Sequence, residues 1–260
     1  MGSDLNQEPS VVANSSGFPL QIGVMHAVNQ SSEWRVVVEE HPWRSEETGS
    51  EGFIDIVAMN RSPGFGAMII ECKRVRQAAW VFLIPKTPPS SKSQATIWDS
   101  NRADGKWLIH GWRNWQADPT TFQSQYCAIP GQEQGRRNLL ERTASDLVES
   151  VEALAGQELE LIEQNETANF SRIYLPVLVT TARLFAASFD PSTVTLNDGA
   201  LPNDASFVEV PYIRFRKALS VRARSSSVNN LKELSNTSER TVFVVHAESV
   251  TAFLNQFELS

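Results

Sequence analysis

The sequence predicts an α/β protein, with a central mixed β-sheet flanked by helices, on three observations. Short runs rich in Ile, Val, Met and Phe, at 53–58, 67–72, 79–84, 173–182 and 241–246, are bounded by Gly, Pro, Ser and Asn, the pattern of strands. From 136 to 161 the apolar residues instead recur at three- and four-residue spacing, through Leu139, Leu140, Ala144, Leu147, Val151 and Leu154, the pattern of an amphipathic helix. The run 173–182 is almost continuously apolar, the mark of a strand covered on both faces.

In chain order, residues 1–16 are polar and aperiodic and read as a disordered tail, which leaves 17–260 as a single domain. Leu20, Ile22, Val24, Met25 and Val28 predict a helix over 18–28, with Pro19 accommodated in its first turn. Trp34–Val38 reads as a strand that stops at Pro42. Gly52–Ala58 and Ala67–Arg74 read as the two strands of a hairpin, with turn residues from Asn60 to Gly66 between them. Ala78–Ile84 reads as a further antiparallel strand of the same sheet. Residues 86–120 read as an insertion, first a loop and then Trp98, Trp107, Trp112 and Trp115 among Arg102, Lys106, His110 and Arg113. Exposed indoles beside arginines would suit nucleic acid. Trp is buried on average, which favours a hairpin packed on the main core.

The 136–161 helix, with Gly156 as a break or kink, leads to the strand Arg172–Ala182, where Pro176 suggests a strand start or a bulge. Leu184–Phe189 reads as its continuation, 190–204 as loop, and Phe207–Phe215 as one strand around Pro211. A short helical piece near Leu231, the strand Thr241–His246 and the helix Glu248–Phe257 close the chain. Cys72 and Cys127 are too few for a disulfide framework, and Cys127 has no histidine near it in sequence to make it a nucleophile. No apolar run approaches the ~20 residues that span a bilayer, and the first residues lack the basic and apolar regions of a secretory leader. A cytoplasmic protein is expected.

The chemistry lies in the hairpin. Asp55 sits between two isoleucines, and Glu71 and Lys73 follow Met68-Ile69-Ile70. Ionised groups are costly in a strand that should be buried unless they are paired or hold a metal. In an antiparallel pair opposite residues have index numbers with a constant sum, so a turn centred near Pro63 puts Asp55 opposite Glu71. Lys73, two residues on, projects from the same face as Glu71. Two carboxylates beside an ammonium suit Mg²⁺ and a scissile phosphate.

An Asp on one strand followed by Glu-x-Lys on the next resembles the PD-(D/E)xK nuclease superfamily, although Ile54 stands where the family name has proline. The resemblance covers residues 18–190. It implies a restriction-endonuclease-like core in the order helix, three strands, helix, strand, with a Trp-rich insertion and a C-terminal strand–helix extension. It implies that Asp55 and Glu71 bind Mg²⁺ or Mn²⁺, that the carbonyl of Cys72 adds a ligand, and that Lys73 positions or activates water. In some members a Glu or Gln of the first helix reaches the site. Gln21 is that position here, the alternative being a solvated helix residue.

The implied partner is nucleic acid, DNA favoured. Basic residues that would meet phosphates are Arg74, Arg76, Arg136, Arg137, Arg214, Arg216 and Lys217, the last three belonging to a dense cluster that also includes Arg222 and Arg224. That cluster could equally protect a solvated strand edge. The net charge of −7 and pI near 5.2 exclude a strongly basic duplex binder and fit an enzyme that leaves target search to a partner protein. Two other classes fit the residues: a nuclease-like interaction module without catalysis, and a protein that binds a base, nucleotide or sugar ring on its tryptophans.

Overall fold

The computed structural model describes residues 8–61, 65–76, 78–85, 94–131, 137–164, 169–219 and 230–259. Their elements are α1 (Pro9–Ser15), α2 (Phe18–Gln30), β1 (Trp34–Arg44), β2 (Glu51–Asn60), β3 (Gly66–Lys73), β4 (Ala79–Pro85), β5 (Gln94–Ala103), β6 (Lys106–Asp118), β7 (Gln123–Ser124), β8 (Tyr126–Ala128), α3 (Leu139–Glu163), β9 (Phe170–Thr180), β10 (Arg183–Phe189), β11 (Ser206–Glu209), β12 (Tyr212–Ala218), α4 (Leu231–Thr237), β13 (Glu239–His246), α5 (Val250–Gln256) and β14 (Glu258–Leu259). The class is α/β, with helices on both faces of a mixed sheet. No helix among the described residues is long and apolar enough to cross a membrane.

The sheet has ten described strands, seven of them in the order β1-β2-β3-β9-β13-β12-β7. Strand β3 is antiparallel to β2 and parallel to β9, and the chain between β3 and β9 contains α3. One edge of β9 is taken by β3. The other is divided between β5, ending at Tyr174, and β13, beginning at Val177. Pro176 falls at that change of partner, where a missing N–H is tolerated. Strands β5 and β6 form a hairpin, and β5 runs along β9, so the Trp-rich segment is part of the main sheet.

Alternation along β3 sorts its side chains between two cores. Ala67 and Ile69 pack under α3, with Leu140, Ala144, Leu147, Val148 and Val151. Met68 and Ile70 face α2 and α5, with Val24, Val28, Phe253 and Leu254. Glu71 and Lys73 continue the α3 face beyond the apolar part of the strand. Helix α3 begins on a capping box: Asn138 Oδ1 accepts the Glu141 N–H at 2.7 Å, and Glu141 Oε2 accepts the Asn138 N–H at 3.2 Å. Asn138→Ala removes one side of it and is expected to cost about 1 kcal/mol, read as a lower urea midpoint with unchanged slope. No loss would mean that packing alone sets the start of α3.

Several expectations are corrected. Residues 9–15 form an exposed helix in what reads as a polar tail; Pro9 at its first position suits a helix start. Strand β1 does not stop at Pro42, which pairs with Phe53; β1 lies at the sheet's edge, where an absent N–H breaks no ladder. Strand β4 leaves the main sheet for a second one, ordered β11-β10-β4-β8, and there lies parallel to β10. The stretch around Pro211 is two strands, β11 in the second sheet and β12 in the first. Gly156 neither breaks nor ends α3, because a helix packed along one face tolerates a single glycine.

The basic cluster is also corrected. Arg214 is fully buried; its guanidinium donates to the carbonyls of Ala117 and Pro119 and lies 5.8 Å from the centre of the Phe243 ring. Arg216 pairs with Glu239 at 2.9 Å, and Lys217 with Glu141 of the capping box. Strand β12 lies between β13 and β7, so it is not a sheet edge. Arg214 is thus enclosed in the fold and is no phosphate contact, while Arg216 and Lys217 are part-buried and each paired with a carboxylate. Arg136, Arg222 and Arg224 lie outside the described residues.

Candidate active site

Three adjacent strands bring acidic residues into one row. The β2–β3 ladder runs from Met59↔Ala67 to Ile56↔Ile70 and ends there, with Asp55 and Glu71 the next residue on each strand. In the β1–β2 ladder, Glu39↔Ile56 and His41↔Ile54 flank the alignment of Glu40 with Asp55. Glu40, Asp55 and Glu71 therefore lie on three neighbouring strands, close enough for the charges of Glu40 and Glu71 to act on Asp55.

Close contacts fix their surroundings. Asp55 Oδ2 accepts the backbone N–H of Cys72 at 2.7 Å. Lys73 Nζ donates to Glu71 Oε1 at 2.6 Å. Beyond the strand, the hydroxyl of Thr181 accepts from Val75 N at 2.9 Å and donates to Val75 O at 2.8 Å, and Thr181 N–H donates to Lys73 O at 3.3 Å. The end of β3 is thus pinned to the end of β9.

Gln21 of α2 is buried at 6% exposure and is not a solvated helix residue. Its Nε2 donates to Glu40 Oε1 at 2.5 Å and to the main-chain carbonyl of Asp55 at 3.1 Å, so the first helix does reach the row. Glu40 has φ = 49°, in the left-handed region, where a non-glycine residue costs of order 1–3 kcal/mol and persists only when its surroundings hold it.

Electrostatics set the site apart from an ordinary surface hairpin. Burial, followed by the charge of Glu71, pushes the Asp55 carboxyl up to about 6, against the Cys72 N–H and Lys73; Glu40 adds to the rise. Burial raises Glu71 too, outweighing Lys73, with further pushes from Asp146 and Glu40. For Lys73, burial works against the charge, yet the charge and hydrogen bond of Glu71, then Asp55 and Asp146, hold it above its ordinary value. The Cys72 thiol is driven up by burial and by the two carboxylates. Asp146 projects from α3 toward this group, its own carboxyl raised by burial and Glu149.

A cleft of about 210 Å³ opens between β2, β3 and α3, walled by Trp43, Phe53, Glu71, Lys73, Asp146 and Leu147 among others. Asp55 is not among the residues of the wall. A larger cleft, about 520 Å³, lies near Trp34, Phe65 and Phe257 and holds none of the candidate residues. Arg74 and Arg76 are exposed just past β3; Arg137 is exposed before α3, with Nη1 3.4 Å from Ser145 Oγ. Trp98 and Trp112 are buried against each other, 5.6 Å between ring centres. Cys127 is half-buried, its thiol pushed up by burial and by Glu141.

Glu40 and Asp146 are the members that sequence reasoning misses. Glu40 carries a weak signal, since an acidic pair interrupts the strand that begins Val36-Val37-Val38. Asp146 carries none, being one of many acids on the exposed side of a helix. Among the described residues, no three His, Cys, Asp or Glu side chains are grouped so as to enclose a metal ion. Comparison with known proteins finds no matching family model, curated protein or solved structure.

Proposed function

We propose that the protein is a metal-dependent nuclease that hydrolyses phosphodiester bonds in nucleic acid, DNA first, on a restriction-endonuclease-like core. One observation carries the reading: Asp55 and Glu71 lie close together on adjacent strands, with Asp55 bonded to the Cys72 N–H, and Glu71 and its partner Lys73 wall a cleft. The order α2-β1-β2-β3, then α3 and β9 after the five intervening strands β4 to β8, with β3 parallel to β9, supports it, since the resemblance to PD-(D/E)xK nucleases implies helix, three strands, helix, strand.

The residues fit a hard divalent cation. Both carboxyls are raised above their ordinary values by burial, and that of Asp55 also by Glu71, so the site concentrates negative charge that a cation would relieve. Two carboxylates with few further protein ligands suit Mg²⁺, which keeps several of its waters. Asp55, Glu71 and the carbonyl of Cys72 would hold the ion. Bound there, it would supply charge stabilisation at the phosphate and a more acidic water. Lys73 stays protonated at neutral pH and acts as an ammonium that orients water or phosphate, not as a base. Gln21 fixes Glu40 and the main chain at Asp55, which steadies the row.

The test is cleavage of labelled single- and double-stranded DNA and RNA with Mg²⁺, with Mn²⁺ and with a chelator. Cleavage that needs the ion is expected. Four intact substrates in both metals would overturn the reading.

A further inference from the structure

We propose that Phe53 is a base-stacking platform at the mouth of this cleft, and that the substrate is single-stranded nucleic acid rather than duplex. The proposal rests on the nuclease reading above and adds the form of the substrate.

Phe53 walls the cleft together with Glu71 and Lys73, yet its side chain is 61% exposed. It stands two residues before Asp55 on the same strand. Its register partner is Pro42 of β1, and next to it Trp43 is buried at 6% exposure and pairs with Gly52. A Cβ on Gly52 would come within 3.2 Å of the Trp43 indole nitrogen, so the glycine leaves room for that indole. The lip is thus a strand paired along β1 that leaves most of Phe53 in solvent.

The charged side chains of the cleft wall itself are mainly acidic, with Arg74, Arg76 and Arg137 exposed beyond it, and a mainly acidic wall disfavours a duplex. Glu51 and Asp146 wall the same cleft, and Lys73, the cation in the wall, is already paired with Glu71. Arg214 is enclosed in the fold, and Arg216 and Lys217 are each paired with a carboxylate. A duplex binder draws its affinity from many phosphate contacts. Its bases are also stacked on one another and offer a protein only their edges. A single strand presents free base faces, and stacking on an aromatic side chain then supplies affinity without a basic groove. Alanine in place of such a ring weakens binding by about ten-fold or more.

The experiment uses one labelled sequence, as a single strand and as a hairpin duplex, with the full chain and its Phe53→Ala and Phe53→Tyr variants. Binding is read by fluorescence anisotropy in chelator and cleavage in Mg²⁺. The wild type is expected to bind and cut the single strand at least about ten-fold better than the duplex. Phe53→Ala should lose about ten-fold on the single strand, mainly in KM, and Phe53→Tyr should restore it. Equal handling of both forms, or single-strand binding indifferent to Phe53, overturns the platform even if the chain is a nuclease. Single-strand binding that depends on Phe53 in a chain that cuts nothing keeps the platform and removes the nuclease reading.

Discussion

Asp55→Ala and Glu71→Ala are each expected to lower metal-dependent cleavage by about a hundred- to a thousand-fold, the range seen when one preorganised electrostatic group is taken from an active site. Each removes one of the two carboxylates that β2 and β3 bring together at the proposed metal site. Lys73→Ala should lose activity to a similar degree, because Lys73 is the ammonium in the cleft wall. Its metal affinity should stay near that of the wild type, whereas the carboxylate variants should bind Mn²⁺ weakly; calorimetric titration with Mn²⁺ separates the two. Glu40→Gln keeps the shape and removes a charge from the third strand. A smaller loss, about ten-fold, is expected of it as a supporting residue. Variants that cut as fast as the wild type would place the chemistry elsewhere.

Asp55→Asn is expected to do the opposite to stability. In the metal-free protein the Asp55 carboxyl is raised from 3.8 to about 6, so the folded chain holds this proton more tightly than the unfolded chain. Stability therefore falls as pH rises from about 4 to about 6, and the full penalty persists above that window. At about 1.36 kcal/mol per pH unit the penalty is on the order of 3 kcal/mol. An asparagine oxygen can still accept the Cys72 N–H, so the variant removes the charge and keeps the contact. Melts in chelator at pH 7.5 should show Asp55→Asn several degrees above the wild type, with the difference vanishing near pH 4. Mg²⁺ should then stabilise the wild type by mass action and the variant less. Equal responses to Mg²⁺ in both proteins would remove the metal site from this account.

The hairpin carrying the candidate site is legible because an antiparallel register obeys simple index arithmetic once the turn is located. The ladder Ile56↔Ile70 is the one that a turn centred on Pro63 implies. Helix α3 is legible for a similar reason, its apolar spacing running unbroken over six turns. Glu40 is hidden by a register shift between Val36 and Val38, which moves the β1 pairing by one residue and defeats the same arithmetic on that side. Gln21 is equivocal because a polar helix residue looks the same whether it faces water or a buried carboxylate. Arg214 misleads for a different reason. Composition marks basic residues as surface, and only the tertiary fold supplies the Ala117 and Pro119 carbonyls that allow a guanidinium to be buried. The second sheet is invisible because β3 and β9 each continue, after a short bend, into a strand of another layer.

The pairing of β3 with β9 also governs how the protein is made. The hydroxyl of Thr181 closes on Val75 across a separation of 106 residues, and the whole β3–β9 ladder spans a similar distance. During synthesis the strand bearing Glu71 and Lys73 emerges early, yet one edge of it waits until β9 has been translated. Ala67 to Ile70 is apolar and meanwhile presents open backbone groups, the feature that invites association with other nascent chains. Contacts so distant in sequence slow folding, because the intervening loop must close before they reward it. The end of β3 therefore gains this neighbour only once β9 has been made, and a fragment ending before residue 170 has Asp55, Glu71 and Lys73 in its sequence without the strand that pins β3 in place.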